Sequence, residues 1–297
     1  MWLLILTTAV WSFSFSLIGV YLAGHVDSYF SVLVRVALAS VMFLPLLRIR
    51  STPISNIVKM MVIGALQIGL MYLFYYQAFE VLSVPEVLLF TIFTPLYITL
   101  FDDALNRRFS PVALMCSALA VSGALLISHA SINPGFWHGF LLVQVCNLCF
   151  AVGQVMYRRW VPADHADISV RAAFKARLHC FGWFYIGALV IVLPAYLCFG
   201  NTSKLPETSV QWGILLWLGL VASGVGYYAW NEGARQVDAG TLAVMNEVLK
   251  PMGLAVNVLI WNRDADMPRL LAAAAIILVA LMINLGWQRR RRSATLA

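Results

Sequence analysis

Residues 85–108 read PEVLLFTIFTPLYITLFDDALNRR, an apolar stretch with Pro95 near its centre and charged residues at its end. About 20 predominantly apolar residues suffice for an α-helix to cross a lipid bilayer. A proline inside such a helix removes one backbone hydrogen bond and displaces the carbonyl group four residues earlier, here that of Thr91. The stretch therefore predicts a membrane-spanning helix with a break near its middle, where polar groups must satisfy the freed carbonyl.

A second stretch with the same pattern lies 156 residues further along the chain. Residues 241–264 read TLAVMNEVLKPMGLAVNVLIWNRD, so that Pro251 aligns with Pro95, and an Asn-Arg pair follows each proline at the same distance. Pro251 is therefore expected to displace the carbonyl of Glu247, just as Pro95 displaces that of Thr91. Two matching breaks at mid-depth predict a polar cavity between two related halves. Two kinks that serve helix packing alone are the alternative interpretation.

The rest of the chain contains further apolar stretches of similar length. Of the 297 residues, 62% are apolar and 11% are charged, against roughly 25% charged residues in soluble proteins, so much of the surface must face lipid. Turn-forming residues separate the apolar stretches. They predict ten transmembrane helices, at residues 2–23, 29–47, 56–79, 85–103, 110–129, 136–158, 178–199, 210–234, 240–261 and 268–288.

The order of the two proline-containing helices gives the two halves opposite orientations. They are the fourth and ninth predicted helices, and a shift by five helices inverts the direction across the membrane. We therefore predict an all-α membrane protein with ten transmembrane helices as two inverted five-helix repeats, a common plan among transporters. The first repeat is expected at residues 1–130 and the second at residues 134–288, and residues 289–297 form a basic tail.

The basic residues are divided unequally between the two sides of this arrangement. Fifteen of the 20 Lys and Arg residues fall on the side of both chain ends, three fall on the other side, and two, Arg35 and Lys250, lie within helices. Because cytoplasmic loops are enriched in basic residues, we expect a multi-pass membrane protein with both termini in the cytoplasm. The net charge of +7 then reflects topology, and the run Arg289–Arg292 is expected to contact anionic lipid rather than nucleic acid.

Ionisable side chains inside the predicted helices are candidates for function, because a charge costs about 2.5–3.5 kcal/mol at the centre of a membrane helix. Glu247 and Lys250 are three residues apart and share one helix face. They either form a neutral pair that offsets its own burial, or bind the charged ends of a zwitterion, with Glu247 as an alternative proton carrier. Arg35 either binds a substrate carboxylate or satisfies freed backbone carbonyls.

Polar and aromatic side chains at similar depth complete the predicted site. Aromatic clusters can stack on an aromatic or cationic solute, although helix packing alone would also explain them. The remaining candidates for the cavity are Asn246, Thr91, Thr94, Trp11, Tyr72, Tyr76, Trp230 and Asn231.

Several motifs, taken in order, resemble the drug/metabolite transporter superfamily, in particular its EamA-type carriers. They are Val10-Trp11-Ser12-Phe13, the single Arg35, Thr94-Pro95-Leu96-Tyr97, the segment from Asn106 to Ser110, Gly123 and Lys250-Pro251. The likeness covers nearly the whole chain and implies a central cavity that opens alternately to each side. Two positions depart from the family pattern. Lys250 stands where the family often has Glu, and Arg108 replaces an acidic residue that is common after the fourth helix.

The resemblance implies a secondary transporter of the bacterial inner membrane, in particular an exporter of amino acids or related small metabolites. The segment Ala229-Trp230-Asn231 resembles that of aromatic amino-acid exporters, which implies a zwitterionic or aromatic amino acid as substrate. The alternatives are an intramembrane enzyme and a scaffold or channel subunit. We expect no enzymatic activity, metal or cofactor, because no nucleophile with its base and no set of metal ligands is found on one helix face. The oligomeric state stays open, with a monomer as one option.

Overall fold

The computed structural model describes residues 1–47, 52–107, 109–125, 136–161 and 170–261, together with isolated residues between 268 and 287. Within the continuous ranges the regular structure consists of nine helices and no strand. The helices are α1 (Trp2–Leu22), α2 (Ser28–Leu46), α3 (Ile54–Phe79), α4 (Val84–Leu105), α5 (Pro111–Leu125), α6 (Phe136–Trp160), α7 (Val170–Phe199), α8 (Ser209–Arg235) and α9 (Ala239–Trp261).

The all-helical membrane fold predicted from the sequence is confirmed. Eight helices in the described part of the chain, α1–α4 and α6–α9, are long and apolar enough to cross a membrane. The fifth predicted span corresponds to α5, which is described over 15 residues. The tenth lies largely outside the described residues, although the isolated residues from Pro268 to Trp287 are helical. The total of ten spans therefore stays a prediction.

One helix is longer than predicted. α7 begins at Val170, whereas the sequence analysis placed its start at residue 178. The added segment at residues 170–177 is rich in Ala, Arg and Lys, which are strong helix formers, and it contains neither Gly nor Pro. An apolar pattern locates the part of a helix that lies in lipid, and here the helix continues beyond that part.

Among the described helices, the packing is preserved when α1–α4 are exchanged with α6–α9. α1 packs against α8 and α9, and its counterpart α6 packs against α3 and α4. α3 packs against α7, and its counterpart α8 packs against α2, the counterpart of α7. The contacts of α2 with α7 and of α4 with α9 are each unchanged by the exchange. This is the pairing expected of two repeats related by a twofold axis.

The counterparts α3 and α8 also share a local irregularity. α3 winds as a π-helix over Ala65–Leu70 and α8 does so over Trp217–Val225. The shift of 156 residues places the first segment on residues 221–226, so the two segments overlap. Turns of π-helix are frequent at functional sites, and these two carry Gln67 and Ser223 at equivalent positions.

Candidate functional site

α4 is interrupted near its middle by one 3-10 turn, Thr91–Phe93, shortly before Pro95. The carbonyl of Phe90 accepts hydrogen bonds from two side-chain amides of α6, those of Asn147 at 2.8 Å and Gln144 at 3.1 Å. Backbone groups that lose their helical partners in lipid must be satisfied by protein or water. The two amides provide this at the break and attach α4 to α6.

The matching break expected in α9 is absent. Pro251 lies inside a helix that is continuous from Ala239 to Trp261. A proline removes one backbone hydrogen bond, and the bonds on either side of it can maintain the helix. The Nζ atom of Lys250 donates a hydrogen bond to the carbonyl of Asn246 at 3.3 Å, in the turn that precedes the proline. The sequence argument correctly located an interruption in α4 and wrongly extended it to α9.

Glu247 and Lys250 form a buried ion pair within α9. Nζ of Lys250 contacts Oε1 of Glu247. Glu247 is fully buried, and its Oε2 atom has no hydrogen-bond partner among the described residues. Lys250 is 4% exposed. The pair is electrically neutral as a unit, which lowers the cost of placing two charges in the membrane interior.

A cavity of about 90 Å³ lies between helices of both halves, lined by α1, α2, α3, α4, α6, α8 and α9. Typical ligand pockets measure roughly 300–1,000 Å³, so the helices must separate before a metabolite enters. Seven residues proposed from the sequence line this cavity: Trp11, Arg35, Tyr72, Thr91, Thr94, Asn246 and Lys250.

Four other predicted residues lie behind this lining: Glu247, Tyr76, Trp230 and Asn231. Each contacts a neighbouring polar or aromatic side chain. The hydroxyl of Tyr76 accepts a hydrogen bond from Arg35 at 3.3 Å, and the ring of Trp230 lies 5.0 Å from that of Trp11. Oδ1 of Asn231 accepts a hydrogen bond from Gln67 at 3.2 Å. In this conformation these residues support the lining.

The sequence analysis missed the contribution of α6 to the cavity. Cys146, Asn147 and Phe150 all line it, and Asn147 also bonds to α4 as described above. Asn147 is a buried amide within an apolar stretch. The same signal, a polar group inside a span, had identified Arg35, and it would have identified Asn147 as well.

Arg35 is 2% exposed and is surrounded by neutral groups. Its Nε atom donates to Oγ of Ser223 at 2.5 Å, and its Nη1 atom donates to the hydroxyl of Tyr76 at 3.3 Å. The guanidinium carbon lies 4.1 Å from the centre of the Tyr72 ring, a cation–π contact. The hydroxyl of Tyr72 is in turn 2.9 Å from Oγ of Ser223. These contacts fix the guanidinium at the cavity wall without neutralising it.

A second charged cluster surrounds Glu232, away from the cavity lining. Arg177 donates from Nε to Oε2 of Glu232 at 2.7 Å, and the hydroxyl of Tyr157 donates to Oε1 at 3.1 Å. Nη1 of Arg235 lies 3.4 Å from the same carboxylate. The cluster joins α6, α7 and α8. The carboxylate of Glu232 is thus satisfied by two arginines and a tyrosine.

The family to which this arrangement belongs follows from comparison with known proteins. The model of the EamA-like transporter family matches the chain over residues 1–129 and 168–285. The chain is a member of that family. A solved crystal structure matches 95% of this chain and 95% of its own, with a TM-score of 0.69 and 19% identity, and it shows that the fold is shared.

Full-length relatives of this EamA-like transporter share nearly half of its residues. A probable biotin transporter of Pseudomonas aeruginosa is 48% identical over 290 residues, which cover 98% of this chain and 99% of that protein. The biotin transporters of Escherichia coli K12 and Salmonella typhimurium are each 46% identical over 294 residues, covering 99% of this chain and 95% of theirs.

The family and the relatives decide the broad function. This EamA-like protein is a multi-pass membrane transporter and not an enzyme, as the sequence predicted. They do not support the predicted amino-acid substrate, because the relatives are named for biotin. Three residues around Trp230 were too short a motif to indicate a substrate.

Proposed function

We propose that this EamA-like transporter carries biotin across the bacterial inner membrane. Biotin combines a fused ureido and thiophane ring, an aliphatic chain and a carboxylate. A site for it needs apolar walls, hydrogen-bonding groups for the ureido ring and a positive charge for the carboxylate. The names of the full-length relatives support this substrate, and the chemistry of the cavity is compatible with it.

The observation that carries the proposal is the combination of groups in one cavity. Trp11, Phe150 and Tyr227 form an aromatic wall, with ring centres 4.8–6.3 Å apart. Asn147, Asn246 and Arg35 line the same space. An amino acid would also need a carboxylate for its ammonium group. The nearby carboxylate of Glu247 lies behind the lining and is paired with Lys250.

The proposed mechanism is alternating access by a secondary transporter. Both halves contribute to the cavity, and its small volume requires relative movement of the helices for binding and release. Inverted repeats support such movement, because each half can adopt the conformation of the other in turn. The ion pair of Glu232 with Arg177 joins α8 to α7 in the present conformation.

The test is counterflow in proteoliposomes that contain the purified protein. Vesicles preloaded with unlabelled biotin should transiently accumulate external radiolabelled biotin above the level in protein-free vesicles. Desthiobiotin should compete, whereas phenylalanine and tryptophan should not. Absence of counterflow, or counterflow of an amino acid in place of biotin, would refute the proposed substrate. Net uptake and net efflux in the same vesicles distinguish import from export.

We further propose that both termini lie in the cytoplasm, which the fifteen-to-three division of basic residues supports. Two exposed positions suit a labelling test in a cysteine-free background: Lys175 in α7, and Ser203 in the loop before α8. In intact cells, an impermeant maleimide should label Ser203→Cys, and it should label Lys175→Cys only after permeabilisation. The opposite pattern would reverse the orientation.

The proposed repeats occupy residues 1–130 and 134–288, with the basic tail at 289–297. Both boundaries lie outside the described residues. The separate family matches at residues 1–129 and 168–285 and the exchange symmetry of the helix contacts support the division.

A further inference from the structure

The charges at the cavity wall do not balance. Arg35 and Lys250 are the charged residues of the lining. Lys250 is paired with Glu247 and thus contributes no net charge. In the described part of the chain no carboxylate forms an ion pair with Arg35, and its contacts are hydroxyls and an aromatic ring. The cavity therefore carries one uncompensated positive charge.

The guanidinium also has unused hydrogen-bonding capacity. An arginine side chain has five N–H groups, arranged in a planar fork that matches the two oxygens of a carboxylate. Nε and Nη1 have partners, whereas no described residue accepts a hydrogen bond from Nη2. Nη2 is also absent from the fully buried polar atoms that lack a partner, which agrees with its facing the cavity.

The neighbours of Arg35 fix its position and do not replace an anion. Ser223 accepts from Nε in the π-helical segment of α8, and Tyr72 stacks on the guanidinium from α3. A planar cation that is held on both sides and paired with no carboxylate is costly in a membrane protein unless an anion joins it. A ligand carboxylate with two parallel N–H···O bonds would remove that cost.

We infer that Arg35 binds the carboxylate of the substrate and makes this transporter selective for monoanions. The inference rests on the proposed transport of biotin and adds the residue that recognises the charged end of that molecule. The loaded cavity is then neutral, whereas the empty cavity carries one positive charge. Glu247 has an indirect part, because it prevents Lys250 from offering a second cationic site for the carboxylate.

The test compares biotin with its primary amide, which has the same rings and chain and no charge. The wild-type protein should transport biotin in counterflow and discriminate strongly against the amide. Arg35→Gln should raise the KM for biotin by about 10–100-fold, the usual loss for a hydrogen bond to a charged group, and should largely abolish the discrimination. Lys204→Gln is the matched control, since it removes one positive charge from an exposed loop and should change neither property.

Arg35→Lys covers the case in which Arg35→Gln does not fold. It retains the charge and loses the fork, so discrimination should persist while the KM for biotin rises. A wild-type protein that transports no biotin would refute the proposed function. Transport of biotin and its amide with equal KM by the wild-type protein would refute the inference alone. Unchanged discrimination in a folded Arg35→Gln protein would also exclude Arg35 as the carboxylate-binding residue.

Discussion

Lys250 lines the cavity, whereas Glu247, its ion-pair partner one turn away in α9, lies behind the lining and is fully buried. Their spacing puts both side chains on one face of the helix, so the pair forms without help from another element. In this conformation the carboxylate is therefore placed to balance Lys250 and not to contact a solute.

The first prediction concerns the stability of this pair. Glu247→Gln leaves Lys250 buried without its counter-charge and should lower the free energy of unfolding by about 3–5 kcal/mol. Denaturation of the detergent-solubilised protein measures this loss, and the yield of folded protein should fall in parallel. Glu207→Gln, a change of the same kind in an exposed loop, should have little effect.

The double substitution of Glu247→Gln with Lys250→Met separates structure from mechanism. Because it removes both charges, it should restore the yield and retain biotin counterflow. A double variant that folds well and does not transport would give Glu247 or Lys250 a direct part in transport. A stable and active Glu247→Gln protein would show that the pair matters for neither.

The sequence predicted the fold well because lipid imposes a strong and local rule. Each span must be apolar over about 20 residues, and the repeat could be read from Pro95 and Pro251. The same two prolines gave one correct and one incorrect break. Whether a helix opens at a proline depends on partners from other helices, such as the Asn147 amide that bonds to α4. Those partners cannot be read from the span itself.

The candidate site could be predicted only in part, for a similar reason. Polarity within a span identified Arg35, Thr94 and Asn246, which line the cavity. It could not distinguish a residue of the lining from one directly behind it, as with Glu247. That distinction depends on how each helix is rotated about its axis, which the packing of several helices decides together.

The second prediction uses a native thiol as a probe of the cavity. Cys146 lines the cavity, whereas Cys198 is exposed near the end of α7. In a variant that retains these two cysteines, saturating biotin should slow the reaction of Cys146 with N-ethylmaleimide several-fold and leave that of Cys198 unchanged. Mass spectrometry of the two peptides gives both rates in one sample. If biotin slows the reaction of both cysteines equally, or of neither, biotin does not occupy this cavity.

The third prediction concerns the close approach of α3 and α7. A Cβ atom at Gly187 would lie 2.0 Å from the carbonyl oxygen of Met61, so the backbones would have to separate. Gly187→Ala should therefore destabilise the protein by about 1–3 kcal/mol. Gly213 is also helical and has no atom within 4 Å of its Cβ position. Gly213→Ala should be neutral or stabilise by up to about 1 kcal/mol. Equal unfolding midpoints for the two variants would contradict this packing.

The last prediction follows from the single positive charge of the empty cavity. Exchange of external for internal biotin uses only the loaded, neutral carrier, whereas net transport also requires the empty, positively charged carrier to return. Moving one elementary charge across a potential of 100 mV changes its free energy by about 2.3 kcal/mol. An inside-negative potassium diffusion potential, set with valinomycin, should therefore slow net uptake of biotin, accelerate net efflux and leave exchange nearly unchanged.

A variant without the charge should reverse this dependence. In Arg35→Gln the empty cavity is neutral and the loaded one carries the negative charge of the substrate. Its residual exchange should thus become sensitive to the potential, while the return of its empty form should not. If net uptake by the wild-type protein does not depend on the potential, a cation such as a proton accompanies biotin. That outcome would replace the uniport implied by the charge balance at Arg35 and Lys250 with symport, and a pH gradient in the same vesicles would then drive accumulation.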